Sequence, residues 1–332
     1  MIWWLVLTGP FVLLASLFIA VLRRESGKPQ VVCLMYHRLA TAEVFDALSG
    51  TERVYTLPVE QFESQLQYLS DNGFRFLAPD ELVAYVRGEL VLTGPAVLLT
   101  FDDGCVSVYE KGVPLLEKFD ATALMFVTID PTSYVFGEGQ RADRRMTDDE
   151  IRDAQSRGLL IGSHSMTHRP LRSLEDSELR HELVESKRVL ENILGSPVND
   201  LALPGNWGDA RVMNTAASAG YRAVWRSTAG RTRVGDSLFG LPRVNIDGEM
   251  TLQQFAATLT PLGLAQRRFV FQLKSLPARL LGPAVWGPIR ATILKLTPGG
   301  YISFARWRKV FIGIVCVAAV VIVLLAIGYL RS

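Results

Sequence analysis

Two adjacent carboxylates, Asp102 and Asp103, stand directly after the apolar run PAVLL, within the segment TFDDG. Neighbouring anions repel each other, and the repulsion grows where water is excluded. Such a pair is therefore either a solvated turn or a place where a cation and a proton acceptor are both required. The rest of the sequence decides between these two interpretations.

The chain has four histidines, and two of them, His164 and His168, are spaced i, i+4 in GSHSMTH. Two imidazoles and one carboxylate form a set of metal ligands that leaves positions open for water and substrate, as in catalytic zinc or iron sites. One aspartate would then ligate the ion while the other accepts a proton from water, whose pKa the cation lowers. The combination favours metal-assisted hydrolysis over a solvated turn.

The elements that must position these residues alternate between strands and helices. Segments typical of buried strands are VVCLMYHRL, PAVLLTF, ATALMFV, LLIGSH, NDLALPG and YRAVWRS. Amphipathic helical segments lie between most of them, and one helix is predicted to begin at Thr147 and another to end at Gly195. This alternation predicts an α/β fold with a parallel sheet, and several such units in one domain favour a (β/α) barrel over an open sheet.

In a barrel of this kind, the functional side chains lie at the carboxyl ends of the strands. Asp102, Asp103, His164 and Pro204 all follow candidate strands. We therefore expect them to converge on one face of the domain.

The two ends of the chain are long apolar segments without charged residues, over 1–22 and 310–330. Each is long enough to cross a hydrocarbon core of roughly 30 Å, and we expect two transmembrane helices. A cleaved signal peptide is the alternative for the first segment. It has no basic residue before the apolar stretch, which also exceeds the roughly 7–15 apolar residues of a signal peptide.

Basic residues flank the central side of both apolar segments, namely Arg23, Arg24 and Lys28, then Arg306, Arg308 and Lys309. By the positive-inside rule, this distribution predicts a protein of the bacterial cytoplasmic membrane with its central domain in the cytoplasm. The alternative is an extracytoplasmic domain. A formal net charge of only +2 gives no support for a nucleic-acid partner.

The composition divides the remaining chain into two parts, a domain over 29–250 and a helical segment over 251–309. The second part mixes basic residues, aromatics and aliphatics with frequent Pro and Gly. This composition is compatible with helices that lie on an anionic membrane surface. Peripheral helices packed on the barrel are the equally weighted alternative.

The segment TFDDG, followed about 60 residues later by HSMTH, resembles the first two motifs of the polysaccharide deacetylases, the NodB-homology group of carbohydrate esterase family 4. The likeness covers residues 31–250 and includes LMYHRL near the start and LPRVNID near the end. These two segments look most like the subgroup that deacetylates poly-N-acetylglucosamine. The resemblance implies a distorted (β/α) barrel and a metal-dependent amidohydrolase acting on carbon–nitrogen bonds other than peptide bonds.

The resemblance also implies roles for individual residues. Asp102 matches the catalytic base and Asp103 the carboxylate ligand, while His164 and His168 match the histidine ligands. The ion implied is a divalent metal, in first place Zn²⁺. The reaction would be attack of activated water on an N-acyl carbonyl.

The third family motif corresponds to LALPGNW, which contains neither the Arg nor the Tyr of the family pattern. Pro204 is retained, and the oxyanion donor would be the backbone N–H of Gly205. Arg243 in LPRVNID is the candidate for orienting Asp102, with a structural arginine as the alternative. Leu203 and Gly205 also suggest an altered sugar pocket.

The late histidine motif that usually supplies the general acid is missing, because no histidine follows His181. The position of His181 in the charged helical segment ELRHELVESK favours a solvated side chain. His37, at the end of an apolar strand, is the candidate acid, and a hydrogen-bonded core histidine is the alternative.

The sequence thus predicts a membrane-anchored N-deacetylase whose partners are membrane lipid and an amino-sugar glycan, either a polysaccharide or a polyprenyl-linked sugar. One alternative is a deformylase of a lipid-linked formamido sugar. The other is a catalytically impaired homologue that binds glycan or acts as a scaffold.

Overall fold

The computed structural model describes residues 15–27, 31–130, 143–206 and 208–273, together with residues 275, 289 and 292. The chain divides into two compact units, Gly27–Leu259 and the paired ends Met1–Ser26 and Thr260–Ser332. Every candidate site residue belongs to the first of these units. The boundaries of 29–250 and 251–309 drawn from composition remain predictions.

The strands of the larger unit are short, and all of their pairings are parallel. They are β1 (Val31–Tyr36), β2 (Arg38–Ala40), β3 (Thr56–Pro58), β4 (Arg75–Phe76), β5 (Ala96–Phe101), β6 (Ala123–Val127), β7 (Leu159–Ser163), β8 (Asp200–Ala202), β9 (Ala223–Arg226), β10 (Phe239–Pro242) and β11 (Val244–Asn245).

Helices connect most of the successive strands. Helix α1 covers 15–25 and α11 covers 261–273. Between them lie α2 (Ala42–Asp46), α3 (Gly50–Val54), α4 (Val59–Asp71), α5 (Pro79–Arg87), α6 (Val113–Lys118), α7 (Asp148–Ser156), α8 (Asp176–Leu194), α9 (Ala210–Ser218) and α10 (Leu252–Thr258).

The main sheet has the strand order β10-β9-β8-β7-β6-β5-β1-β11, and β4 pairs with the start of β5. Its two edge strands are consecutive in sequence, because only Arg243 separates Pro242 of β10 from Val244 of β11. Two residue steps span at most roughly 7 Å of chain. The end of one edge strand therefore lies next to the start of the other, and the sheet is a nearly closed barrel whose seam is at Arg243.

The strands around the centre of the sheet are buried over their whole length, as the continuous apolar runs of β1, β5 and β6 predict. One apolar cluster within this core contains the fully buried Trp225, whose indole N–H donates to Asp200 Oδ1 at 3.0 Å. A second cluster contains buried leucines of α8, such as Leu179 and Leu183. Packing on both faces of the strands holds their carboxyl ends in place.

The helix ends predicted from the sequence are confirmed at two positions. The Thr147 side chain accepts from the Glu150 N–H at 3.2 Å and caps α7. Gly195 ends α8 in the left-handed conformation, with φ 66°. Both ends use residues whose local chemistry suits the position.

The predicted α/β class and barrel architecture are confirmed, but one segment differs from the sequence interpretation. The run VVCLMYHRL is not one strand, because His37 separates β1 from β2 and only β1 joins the main sheet. Long-range pairing thus divides what local propensity presents as one run. The segment LPRVNID spans the end of β10 and the whole of β11, which lie at opposite edges of the sheet.

The smaller unit contains helices α1 and α11. Phe18 and Phe269 pack edge to face with ring centroids 5.4 Å apart, and Arg268 pairs with the buried Glu25 at 3.0 Å. Within the described ranges, none of the helices has the length and apolar character needed to cross a membrane. The predicted span over 310–330 lies outside the described residues, as does 1–14 of the first span, so both spans remain predictions.

Candidate active site

The segment TFDDG forms a tight turn at the carboxyl end of β5. Asp103 has φ 76° and Gly104 has φ 82°, so two successive residues adopt the left-handed conformation. A Cβ on Gly104 would lie 3.0 Å from Val127 Cγ1 and 3.3 Å from Val127 Cα, so these close contacts and the positive φ make any larger residue strained here. The turn directs the two adjacent aspartates to different partners.

Asp102 is clamped by Arg243 from the barrel seam. Nη1 and Nη2 of Arg243 donate to Oδ1 and Oδ2 of Asp102 at 2.6 and 2.9 Å, a bidentate pair between two buried side chains. Arg243 Nη1 also donates to Thr100 Oγ1 at 3.2 Å. Burial by itself would raise the pKa of Asp102, but Arg243 and then His164 outweigh it and lower this pKa to about 2. Asp102 is therefore an oriented, ionised carboxylate.

Asp103, His164 and His168 form a compact set of three metal-ligand side chains. Asp103 Oδ1 lies 3.7 Å from His164 Nε2 and 3.4 Å from His168 Nε2, and the three ligand atoms are all within 4.8 Å of one another. Ligands at about 2.1 Å from a tetrahedral ion are separated by about 3.4 Å, so these spacings suit such an ion.

The two histidines are also in the protonation state that a metal ligand requires. His164 Nδ1 lies 3.0 Å from the Ala202 carbonyl oxygen, so Nδ1 carries the proton and Nε2 presents its lone pair to the site. Burial lowers the pKa of His164 to about 3 and also lowers the pKa of His168, against the opposing charge of Asp102. Both imidazoles are neutral near pH 7, and the three residues fit a divalent ion.

His37 lies between β1 and β2, with its ring 4.4 Å from that of Tyr55. Its Nδ1 is buried and has no hydrogen-bond partner among the residues that the structure describes. Burial lowers the pKa of His37 to about 4, while the charge of Asp102 opposes this shift. His37 is therefore a neutral imidazole at the same edge of the barrel, and His181 is exposed, as the sequence predicted.

The turn after β8 contains the third-motif residues. Pro204 is buried, whereas Gly205 is exposed with φ 57° and is followed by Asn206 at φ 63°. Arg226, at the end of the neighbouring strand β9, donates from Nε to Asn206 Oδ1 at 3.2 Å. Where the family pattern has an aromatic side chain, this chain has Gly205 in an exposed turn. Arg226 supports this turn through its hydrogen bond to Asn206.

Two supporting residues of the site were not among the sequence candidates. Thr100 receives a hydrogen bond from Arg243 and donates to the Leu34 carbonyl oxygen at 2.9 Å. Glu182 of α8 accepts from backbone N–H groups between the two histidines. The available signal for Glu182 was its spacing, because a charged residue three positions after Leu179 falls on the apolar face of the helix.

Comparison with known proteins finds a family match over part of the chain. Residues 91–224 match the family model described as polysaccharide deacetylase. A putative polysaccharide deacetylase of Bacillus subtilis, YxkH, is 23% identical over 70% of this chain and 77% of its own length. The poly-β-1,6-N-acetyl-D-glucosamine N-deacetylase of Staphylococcus epidermidis is 26% identical over 30% of this chain and 36% of its own length.

Among solved structures, the Streptococcus pyogenes deacetylase PplD in complex with acetate is similar. It has a TM-score of 0.59 and 25% identity, and the match covers 70% of this chain and 98% of that one. The family resemblance seen in the sequence motifs is thereby confirmed, together with the barrel fold.

Proposed function

We propose that this chain, which contains a polysaccharide deacetylase domain, is a metal-dependent N-deacetylase that removes the N-acyl group, in first place acetyl, from an amino sugar. One observation carries the proposal. His164 Nε2 lies 3.7 Å from Asp103 Oδ1 and 4.0 Å from Asp102 Oδ2, so the candidate ligand set and the clamped carboxylate share one edge of the barrel. Hydrolysis of an amide needs both parts within reach of one water molecule.

Asp103, His164 and His168 would hold the ion. A divalent ion there would polarise the acyl carbonyl and lower the pKa of water. Asp102, the aspartate that Arg243 orients, would accept the proton from the attacking water. Gly205 is exposed on the turn after β8, and its backbone N–H would donate to the carbonyl oxygen as that oxygen gains negative charge.

The leaving nitrogen needs a proton, and His37 is the proposed donor. In the metal-free site His37 is neutral near pH 7, because its pKa is about 4. It would therefore take up a proton from solvent during the reaction and donate it to the leaving amine. Asp102 would release the proton taken from water back to solvent, so the proton count balances.

The His37 role predicts a specific kinetic loss. His37→Gln should lower kcat by roughly 10²- to 10⁴-fold, the usual contribution of a general acid. Zinc content should not change, because His37 is not in the ligand set. The matched control is His181→Gln, which alters an exposed histidine of α8 and should retain wild-type kcat. If His37→Gln kept kcat near the wild-type value, His37 would be a core histidine and not the proton donor.

The substrate class proposed is an N-acylated glucosamine polymer or a polyprenyl-linked amino sugar. Support for the polymer comes from a relative that is named as acting on poly-β-1,6-N-acetyl-D-glucosamine. Support for the lipid-linked class comes from the apolar segments at 1–22 and 310–330, which would keep the domain at a membrane. A formyl group on a lipid-linked sugar would be released by the same chemistry.

A substrate panel with and without metal tests this proposal. We expect the zinc-loaded protein to release acetate or formate from one of three substrates, namely β-1,6-linked N-acetylglucosamine oligomers, peptidoglycan fragments or a lipid-linked N-acyl amino sugar. Chelation should lower release at least about 100-fold, and zinc should restore it. Zinc binding without acyl release from any of them would favour the glycan-binding alternative.

We also propose that the domain lies on the cytoplasmic side of a bacterial inner membrane, from the basic residues that flank the two apolar segments. Labelling in intact spheroplasts with a membrane-impermeant thiol reagent tests the side, once a cysteine is introduced at an exposed position such as Val91. No labelling before lysis is expected. Labelling before lysis would place the domain outside.

A further inference from the structure

We propose that Glu182 is a positioning residue for the metal site, which holds the loop between the two histidines so that both rings face one ion. The loop consists of Ser165, Met166 and Thr167, and we call it the ligand loop. The inference rests on the metal-binding role proposed for His164 and His168. It assigns a function to a buried carboxylate that the deacetylation mechanism itself does not use.

The ligand loop has a backbone conformation that it would not adopt without support. Ser165 has φ 67° and His168 has φ 60°, both in the left-handed region that non-glycine residues rarely populate. Two such residues within four positions persist only where surrounding contacts determine them. The contacts that hold the loop therefore also determine where the His168 ring lies.

Glu182 provides three of the hydrogen bonds that hold the ligand loop. Its Oε2 accepts from the N–H groups of both Met166 and Thr167 at 2.9 Å each, and its Oε1 accepts from the Thr167 hydroxyl. Glu182 thus binds two of the three residues between the ligands. Hydrogen bonds to an ionised acceptor are roughly twice as strong as neutral ones.

Burying the Glu182 carboxylate costs free energy, so its hydrogen bonds with the ligand loop are needed to offset that cost. Glu182 is only 3% exposed, and within the described ranges it has no ion pair with a basic side chain. A buried charge is costly unless hydrogen bonds satisfy it. The three donors of the ligand loop are what satisfy it here, so the loop and the carboxylate stabilise each other.

The helix that carries Glu182 is itself fixed to the strand that carries the first ligand. Leu179 and Leu183 of α8 are fully buried on either side of Glu182. One turn further on, Ser186 Oγ hydrogen-bonds Ser163 Oγ at 2.9 Å, and Ser163 directly precedes His164. Helix α8 therefore holds the strand end before the first ligand and the loop before the second, which sets the distance between the two rings.

The test separates metal affinity from folding. Zinc affinity is measured by competition with a chromophoric chelator, and the Tm is measured on the metal-free protein. Glu182→Leu fills the same space without an acceptor and should weaken zinc binding roughly 10- to 100-fold, the usual effect of losing such a supporting contact. Glu182→Gln retains a carbonyl acceptor for the two N–H groups and should bind zinc within about 3-fold of wild type.

The matched control is Leu183→Ala, which shortens a buried apolar side chain next to Glu182 that offers no hydrogen-bond acceptor to the ligand loop. It should lower the Tm of the metal-free protein and leave zinc affinity within about 3-fold of wild type. A Glu182→Leu protein that binds zinc as tightly as wild type, with only a lower Tm, would overturn the inference.

Amide hydrogen exchange gives a second test that needs no variant. In the metal-free wild type, the Met166 and Thr167 amide hydrogens should exchange as slowly as those of β7, whereas exchange at the rate of an unstructured peptide would contradict the role of Glu182. These outcomes are distinct from failure of the proposed function. A wild-type protein that binds no zinc removes the metal role, whereas equal zinc binding by wild type and Glu182→Leu removes only the role of Glu182.

Discussion

Replacing Asp102 with asparagine should lower acyl release by at least about 10³-fold while zinc binding is unchanged. Asparagine has nearly the same shape, but it cannot take a proton from water. Its amide NH₂ would also face a donor nitrogen of Arg243, so one of the two hydrogen bonds at 2.6 and 2.9 Å is lost. Zinc affinity should survive because the proposed ligand set, Asp103, His164 and His168, does not include Asp102.

A matched control for this variant is Asp200→Asn. Asp200 is also a buried aspartate that pairs with an arginine, Arg222, at 3.1 Å, but it lies at the start of β8 rather than at a carboxyl end. This variant should cost stability and keep the activity per folded molecule. If both variants lost activity to the same degree, the effect of Asp102→Asn would be one of folding.

The largest effect on stability is expected from Arg243→Met in the metal-free protein. Removing one partner of a buried ion pair leaves an uncompensated charge and costs about 3–5 kcal/mol in the free energy of unfolding. Both partners are buried here, and the side chain of Arg243 is fully shielded from solvent. Activity should fall as well, because nothing then orients Asp102.

The pH dependence of this loss has a defined sign. In wild type the pKa of Asp102 is lowered to about 2, so its stabilising contribution is present above the ordinary value of 3.8 and is lost as the pH falls toward 2. In Arg243→Met burial is no longer opposed by the guanidinium, and the pKa of Asp102 should lie above 3.8. The stability difference between the two proteins should therefore shrink as the pH falls from 7 to 3.

Denaturant unfolding at several pH values measures this difference. The matched control is Arg157→Met, which removes an arginine with equally short bidentate contacts to Glu117, both 2.8 Å, on the exposed surface. Exposed pairs contribute roughly 0–1 kcal/mol, so this variant should be nearly neutral. If the two arginine variants lowered the free energy of unfolding equally, the buried Arg243–Asp102 pair would stabilise the protein no more than an exposed pair does.

The chemistry-bearing residues were predictable from sequence because each lies in a short segment at a strand end. TFDDG and HSMTH carry their residues on turns that directly follow apolar strands, and the helix ends at Thr147 and Gly195 follow from local chemistry. The predicted barrel was confirmed because several parallel units of this kind close into one sheet.

The support of these residues was less predictable because it depends on long-range contacts. Arg243 in LPRVNID occupies the barrel seam, with a strand at either edge of the sheet beside it, and the local sequence does not indicate that position. Its orienting role toward Asp102 was suggested by the family resemblance, not by spacing. Glu182 was visible only as a charge on an apolar helix face, and its partners lie more than ten residues earlier in the chain.

We propose that the proton acceptor and the ion ligands are separate parts of one site. Acetate release and zinc content, measured together on wild type, Asp102→Asn and Asp103→Asn, test it most directly. Wild type should bind zinc and release acetate, Asp102→Asn should bind zinc and release none, and Asp103→Asn should do neither. Acetate release by Asp102→Asn at the wild-type rate and equal zinc content would contradict the account.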